Sequence, residues 1–192
     1  MFYDAFANTH GLAIDPFKAL VAPRPIGWIS TLGKNGVVNL APYSFFNAVS
    51  EDPHFLMFGS GGRKDSQRNA EETGDFVCSL ATYELREAMN RTSAPVAPDV
   101  DEMQLVGLTP APSRLVAPPR VKESPVAFEC RYWRTIELPG RNGKPGMNAI
   151  VLGQVIGIHI ADEAIAIARL GYGDYAVIDE VFTLARPKSR AL

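Results

Sequence analysis

Two stretches in the second half of the chain alternate apolar and polar residues with a period of two, and they constrain the fold more than any other feature. From Val126 onward, Val126, Phe128, Cys130, Tyr132, Ile136 and Leu138 are largely apolar, while Glu129, Arg131, Thr135 and Glu137 alternate with them. That is the pattern of a strand with one wet face. Ala149 to Ala161 repeats it, with Ile150, Leu152, Ile156, Ile158 and Ile160 in phase and Gly153 and Gly157 on the opposite face. Glycine there marks a bulge or a closely approaching group. Between the two strands, Pro139-Gly140-Arg141-Asn142-Gly143-Lys144-Pro145-Gly146 reads as a turn or mobile loop.

Shorter strands precede this pair. Pro25 to Leu32 and Val37 to Pro42 flank Gly33-Lys34-Asn35-Gly36, where Asn-Gly supplies the positive φ of a tight turn, so a first hairpin is expected. His54 to Ser60 and Asp75 to Ala81 are apolar runs too brief for helices and rich in strand-forming residues. Helical pieces are few: Lys64 to Thr73, stopped by Gly74, then Tyr83 to Thr92 and Asp101 to Val106. Ala94 to Pro125 holds seven prolines and little regular pattern, which predicts an excursion wrapped on the barrel rather than a second domain. The 16 glycines and 15 prolines are spread along the chain instead of forming a linker, and no internal repeat is visible. Six or more strands with no regular βαβ alternation point to a closed, mainly β antiparallel architecture with a few capping helices, a single domain over 1–192.

Composition narrows the function. A hydrophobic share of 46% over 192 residues suits one globular core. A formal net charge of −2 is far from the basic balance that phosphate-backbone binding favours, so no nucleic acid is expected as partner. No run approaches the roughly 18 apolar residues of a membrane span, and MFYDAFANTH lacks a basic n-region and an apolar h-region. The expectation is a cytoplasmic protein without membrane association. Cys78 and Cys130 sit in apolar stretches and form no C-x-x-C, which favours buried thiols over a disulfide or a zinc site.

Ser60-Gly61-Gly62-Arg63-Lys64-Asp65-Ser66 closes a strand and opens a helix, combining glycines, two cations and hydroxyls beside the unpaired N–H groups of a helix start. In outline it is an anion cradle, with Asp65 as N-cap, Ser66 offering its hydroxyl, and Arg63 and Lys64 able to neutralise a dianion through hydrogen bonds worth about 1.5–3 kcal/mol each. A surface turn that merely caps a helix fits the same residues equally well. The spacing is not that of a Walker loop. Gly171-Tyr172-Gly173-Asp174-Tyr175-Ala176 formally fits G-x-G-x-x-A, but a strand-like Ala176 to Val181 follows and the chain ends at Leu192, so a tyrosine-rich loop is the better reading. His10, His54 and His159 lack metal-ligand spacing, and His159 reads as a satisfied core histidine. There is no G-x-S-x-G elbow or Cys/His pair for nucleophilic catalysis.

The order R-P-I-G-W-I-S-T (Arg24 to Thr31), N-L-A-P-Y-S-F-F-N (Asn39 to Asn47) and then G-R-K-D-S at a helix start resembles the flavin reductase-like family of FMN-binding split barrels. Ala168-Arg169-Leu170-Gly171-Tyr172-Gly173-Asp174-Tyr175 is similar to that family's closing motif. The resemblance covers most of Val21 to Ala81 and returns near Val126 to Tyr175. It implies a six-stranded Greek-key split β-barrel, a homodimer, and FMN near the subunit interface. By position, Lys64, Asp65 and Ser66, helped by Ser60 and Arg63, would hold the phosphate; Ser30 and Thr31 would lie on the cofactor side of the first hairpin. Ala41, Pro42, Tyr43 and Ser44 would run along the isoalloxazine, largely through backbone. Trp28 and Asn47 are also carried over, although Trp28 fits a core role equally.

Elementary chemistry agrees with this assignment. A flat ring with polar edges needs an apolar wall and a few fixed donors and acceptors, and a proline-broken segment such as Leu40 to Ser44 leaves backbone groups free for that edge. The resemblance implies an NAD(P)H-dependent FMN reductase, or the reductase component that hands reduced flavin to an oxygenase. The alternatives are a non-catalytic FMN carrier or electron-transfer protein, and a split barrel that has lost flavin and serves as an interaction domain. Hydride transfer needs no obligatory acid or base, so no catalytic side chain is assigned. Arg24 and Arg169 are candidates for the pyrimidine edge, and equally for surface charges or dimer ion pairs. The apolar loop Tyr43 to Val49 is the sequence's own argument for a dimer.

Overall fold

In the computed structural model, which describes residues 1–141, 144–164 and 184, the first hairpin joins β1 (Gly27–Leu32) to β2 (Val38–Tyr43). Gly36 takes φ 80°, its N–H reaching Gly33 O at 2.9 Å, while Gly33 N–H reaches Val37 O at 2.9 Å. Positive φ at this glycine is what lets the chain reverse. There follow β3 (Phe46–Glu51), β4 (His54–Gly61), α2 (Asp65–Thr73) and β5 (Asp75–Leu80), then the long pair β8 (Val126–Pro139) and β9 (Pro145–Ile160). A short α1 (Phe17–Leu20) precedes them. The proline-rich excursion carries α4 (Glu102–Leu105) and the two-residue strands β6 (Pro110–Ala111) and β7 (Arg120–Val121), after α3 (Arg86–Arg91).

The main sheet is antiparallel, in the order β2-β1-β5-β8-β9-β4-β3. It has seven strands among the described residues instead of the expected six, and pairing does not close it. The extra strand arises because the chain from Asn39 to Asn47 divides at Ser44-Phe45 into β2 and β3, which lie at opposite edges of the sheet. Those edges nevertheless approach at this corner: Gly59 N–H bonds Phe45 O at 2.7 Å, and the Tyr43 and Phe58 rings lie 4.7 Å apart. The β2 edge offers little for a closing ladder, since Pro42 has no N–H and Leu40 N–H is already taken by the Glu102 carboxylate at 2.9 Å.

Strand alternation sorts the core into two clusters. Ile29, Tyr43, Phe58, Phe76, Cys130 and Val151 pack on the inner face with Ala70 of α2. Trp28, Leu40, Met103, Leu108 and Val121 pack on the outer face, where the excursion covers β1 and β2. Each large side chain so buried contributes about 1.5–3 kcal/mol. The excursion therefore wraps the sheet as expected. Gly74 ends α2 in the left-handed region at φ 85°.

The long hairpin forms where the alternation places it, but β9 starts already at Pro145 and the register shifts along the pair leave Ile136, Leu138, Ile158 and Ile160 of the expected apolar face exposed. Glu129, expected on the wet face, is only 1% exposed. A register shift between Glu129 and Cys130 buries both, and the carboxylate is satisfied by the N–H groups of Arg114 at 2.7 Å and Leu115 at 2.6 Å and by His159. His159 is accordingly a half-buried, paired residue. At Gly153 the approaching group is the Phe76 ring, which a Cβ would overlap. Cys78 and Cys130 are buried free thiols. No described helix is long and apolar enough to cross a membrane, and the described residues hold no cluster of metal-ligating side chains. Arg169, the segments Ala168 to Tyr175 and Gly171 to Ala176, and the strand-like Ala176 to Val181 lie outside the described residues.

Candidate functional site

The first hairpin and α2 are tied together by a buried polar network. Asn39 faces Thr31 in the β1–β2 register, and its Nδ2 donates to Thr31 Oγ1 at 3.1 Å and to Ser66 Oγ at 2.8 Å. Asn69 Nδ2, one turn along α2, donates to the same Thr31 oxygen at 3.2 Å. The Tyr43 hydroxyl lies close to Ser66 and Ser60, and burial pushes its pKa up to about 12. Ser60 Oγ in turn donates to Gly62 O at 2.7 Å. Thr31, Tyr43, Ser60 and Ser66 thus converge at one corner.

The helix start differs from expectation in one respect. Asp65 is the first helical residue and not the N-cap; its carboxylate pairs with Arg68. The N-cap is Lys64, held extended at φ −73° and ψ 171°, with its N–H on Gly62 O at 2.9 Å and no side chain closing the cap. A nine-residue helix therefore presents its leading N–H groups without a side-chain acceptor, beside the exposed Lys64. Arg63 is engaged by Glu71, Nε to Oε2 at 2.9 Å, and by Glu72 at 3.6 Å. Burial would raise the Glu71 carboxyl, but hydrogen bonds from Gln67, Thr135 and Arg63 hold it below the usual range. Gln67 Oε1 is buried with no donor.

Beside this corner runs the β2 edge. The Gly33 to Val37 bond fixes the hairpin's phase: Thr31/Asn39, Ile29/Ala41 and Gly27/Tyr43 exchange backbone bonds, and Leu40 and Pro42 turn their backbone outward. With Leu40 N–H on Glu102 and no N–H at Pro42, the outward groups left there are carbonyls, a narrower set than the free backbone expected from Leu40 to Ser44. Burial pushes the Glu102 carboxyl up to about 7.

Three expected site residues are not brought to the corner. Ser30 neighbours Thr31 in β1 and so points to the opposite face, fully buried, its hydroxyl donating to Pro119 O at 2.5 Å. Trp28 is on that outer face too, in the core, with Nε1 on Thr92 Oγ1 at 2.9 Å. Asn47 is exposed on β3, its Oδ1 accepting Ala48 N–H at 2.9 Å. Arg24 holds the N-terminal segment through the carbonyls of Lys18 and Val21. Asn69 and Glu102 are not legible in the sequence because their partners, Thr31 and Leu40, are distant in it, and Gln67 carries no motif at all; Asn39 lies within N-L-A-P-Y-S-F-F-N and could be found there.

An antiparallel sheet curled against a short helix, with few other helices, is the architecture of a split barrel. The profile of the flavin reductase like domain matches residues 20–176, and the chain belongs to that family. An uncharacterised Aquifex aeolicus protein is 42% identical over 61% of this chain, a match spanning 62% of that protein's length. An uncharacterised Bacillus subtilis protein is 36% identical over 91% of this chain and 95% of its own. The crystal structure of nitrilotriacetate monooxygenase component B from Bacillus cereus superposes with a TM-score of 0.77 at 31% identity, covering 96% of this chain and 98% of that one.

Proposed function

We propose that this chain is an FMN-binding oxidoreductase that reduces the flavin with NAD(P)H. The observation that carries the reading is the uncapped start of α2 beside Lys64, adjoining a strip of β2 whose outward backbone is not in a ladder. A phosphate suits that seat because the helix dipole and unpaired N–H groups favour a dianion. Gln67 Oε1, buried without a donor in the first turn of the same helix, suits a ligand that carries hydroxyls. FMN would supply an acceptor for a nicotinamide hydride; the chain's part is to bind, orient and exclude water.

In this reading Lys64, Arg63 and the N–H groups of Asp65 and Ser66 hold the phosphate, and Ser60, Ser66 and Thr31 fix the surrounding hydroxyl network. Ala41, Pro42, Tyr43 and Ser44 form the wall. Asn47 reaches the ligand only from the surface of β3, which agrees with a site completed by a second copy. Phe45 and Val49 beside it are 41% and 52% exposed, as are other apolar residues of the N-terminal segment such as Ile14 and Leu20 at higher values. A homodimer covering that surface is part of the proposal. The likeness to a monooxygenase component B supports service as the reductase of an oxygenase pair.

Anaerobic mixing of the FMN-loaded protein with NADH or NADPH tests the activity. Prompt bleaching of the flavin band is expected. A yellow protein indifferent to both nicotinamides would make it a carrier, and failure to bind FMN would remove the reading altogether.

A further inference from the structure

Away from the α2 corner, two open cavities meet at His159. Register fixes the face they occupy. Ser30, Val77 and Glu129 are successive cross-strand partners, so Glu129 shares the outer face with Ser30, and Gly157 and His159 follow it across the long hairpin. The first cavity, about 250 Å³, is lined by Glu129, Gly157 and His159 of the sheet and by Arg114 and Leu115 of the excursion. Gly157 leaves the sheet bare there, and a Cβ would already stand 3.4 Å from Leu115 Cδ1. The second cavity, about 200 Å³, carries Arg120 and Lys122 beside His159.

The acids around this cleft are spent and two of its cations are not. Glu129 accepts the N–H groups of Arg114 at 2.7 Å and Leu115 at 2.6 Å and is paired with His159 Nε2, which fixes the imidazole between the two cavities. Glu123, also on the second cavity, is turned to Thr109 N–H, its oxygens at 3.0 and 3.3 Å. Arg120 and Lys122 make no ion pair among the described residues. Arg120 Nε is moreover buried without an acceptor. A buried N–H calls for a partner, and a guanidinium meets a carboxylate through two parallel, charge-assisted bonds.

We propose that this cleft is a second anion site, one that takes a small organic acid, with the carboxylate on Arg120 and Lys122 and the apolar body past the His159 ring against Leu115 and Gly157. Volume limits the ligand, because pockets for drug-sized molecules begin at about 300 Å³. None of these residues belongs to the α2 corner, so the site stands apart from the flavin reading.

Imidazole proton–nitrogen spectra of the full-length protein during titration with benzoate test the site. The His159 signal is assigned by its loss in His159→Gln, and His10 and His54 are internal controls. Benzoate should move the His159 resonance alone, saturably and in the millimolar range. Benzamide, the same body without the charge, should move nothing. Inorganic phosphate, the charge without the body, should bind at this resonance at least about tenfold more weakly than benzoate. Arg120→Met should weaken benzoate by at least about tenfold, and Lys122→Met, a change at an exposed residue, by roughly threefold. No saturable movement of His159, equal movement of all three histidines, a benzamide effect that matches benzoate, or an unchanged benzoate affinity in the variants would overturn the site. Phosphate binding as tightly as benzoate would overturn the organic acid as its ligand.

Discussion

Asn39 and Ser66, 27 positions apart, are joined by a 2.8 Å hydrogen bond that fixes the first hairpin against the start of α2. The same amide reaches Thr31, so one side chain sets the distance between the sheet edge and the helix N-terminus. Removing it takes the Asn39 donor from the buried Ser66 hydroxyl and leaves Thr31 with Asn69 alone. Asn39→Ala should cost about 1–3 kcal/mol in urea unfolding at unchanged m-value. A variant as stable as wild type would show that the network does not hold the corner.

Glu129 makes the stability of the outer face depend on pH. Burial would raise its carboxyl, but the bonds from His159, Arg114 N–H and Leu115 N–H hold it below the usual range. A folded-state value below the unfolded one gives stability that is present at neutral pH and lost as pH falls through the folded value. Glu129→Gln should therefore cost about 1.5–3 kcal/mol at pH 7, with the gap to wild type narrowing below about pH 4. Unfolding curves across that range that stay a constant distance apart would contradict this.

Gly153 has no room for a side chain, because a Cβ would overlap the Phe76 ring in the inner core. Gly153→Ala should destabilise by about 1–3 kcal/mol, visible as a lower thermal midpoint. Gly153→Ala together with Phe76→Leu should recover part of that loss, whereas simple additivity of the two would point to another cause.

Both thiols should be silent in the native protein. Burial pushes Cys78 up to about 12 and Cys130 well above its ordinary value, so neither supplies thiolate at neutral pH. A thiol-disulfide reagent should titrate no fast-reacting group in buffer and both cysteines in guanidinium. Rapid labelling of the native protein would refute the burial.

Much of this architecture is legible in residue order because local rules decide it. The period of two in Val126 to Leu138 and Ala149 to Ala161 yields β8 and β9, Asn35-Gly36 yields the first turn, and Gly74 stops α2. β3 escaped notice because it is mostly exposed and has no apolar face to generate a pattern. The burial of Glu129 and Glu102 was hidden for a different reason: their partners are backbone N–H groups of Arg114, Leu115 and Leu40, which only the tertiary fold delivers. Ser30 and Thr31 were grouped together, although adjacent strand residues face opposite sides; the pleat alone could have separated them. A motif records order and not which residue caps a helix, so the place of Lys64 as the N-cap of α2 instead of Asp65 was not legible in it.

The central claim is that the open start of α2 grips a phosphate, and parallel fluorescence titrations of FMN and riboflavin with wild type and Lys64→Ala test it most directly. FMN should bind at least tenfold more tightly than riboflavin, and Lys64→Ala should weaken FMN alone, by roughly 1.5–3 kcal/mol or one to two decades in Kd. Equal affinities for the two flavins, untouched by the substitution, would contradict the account.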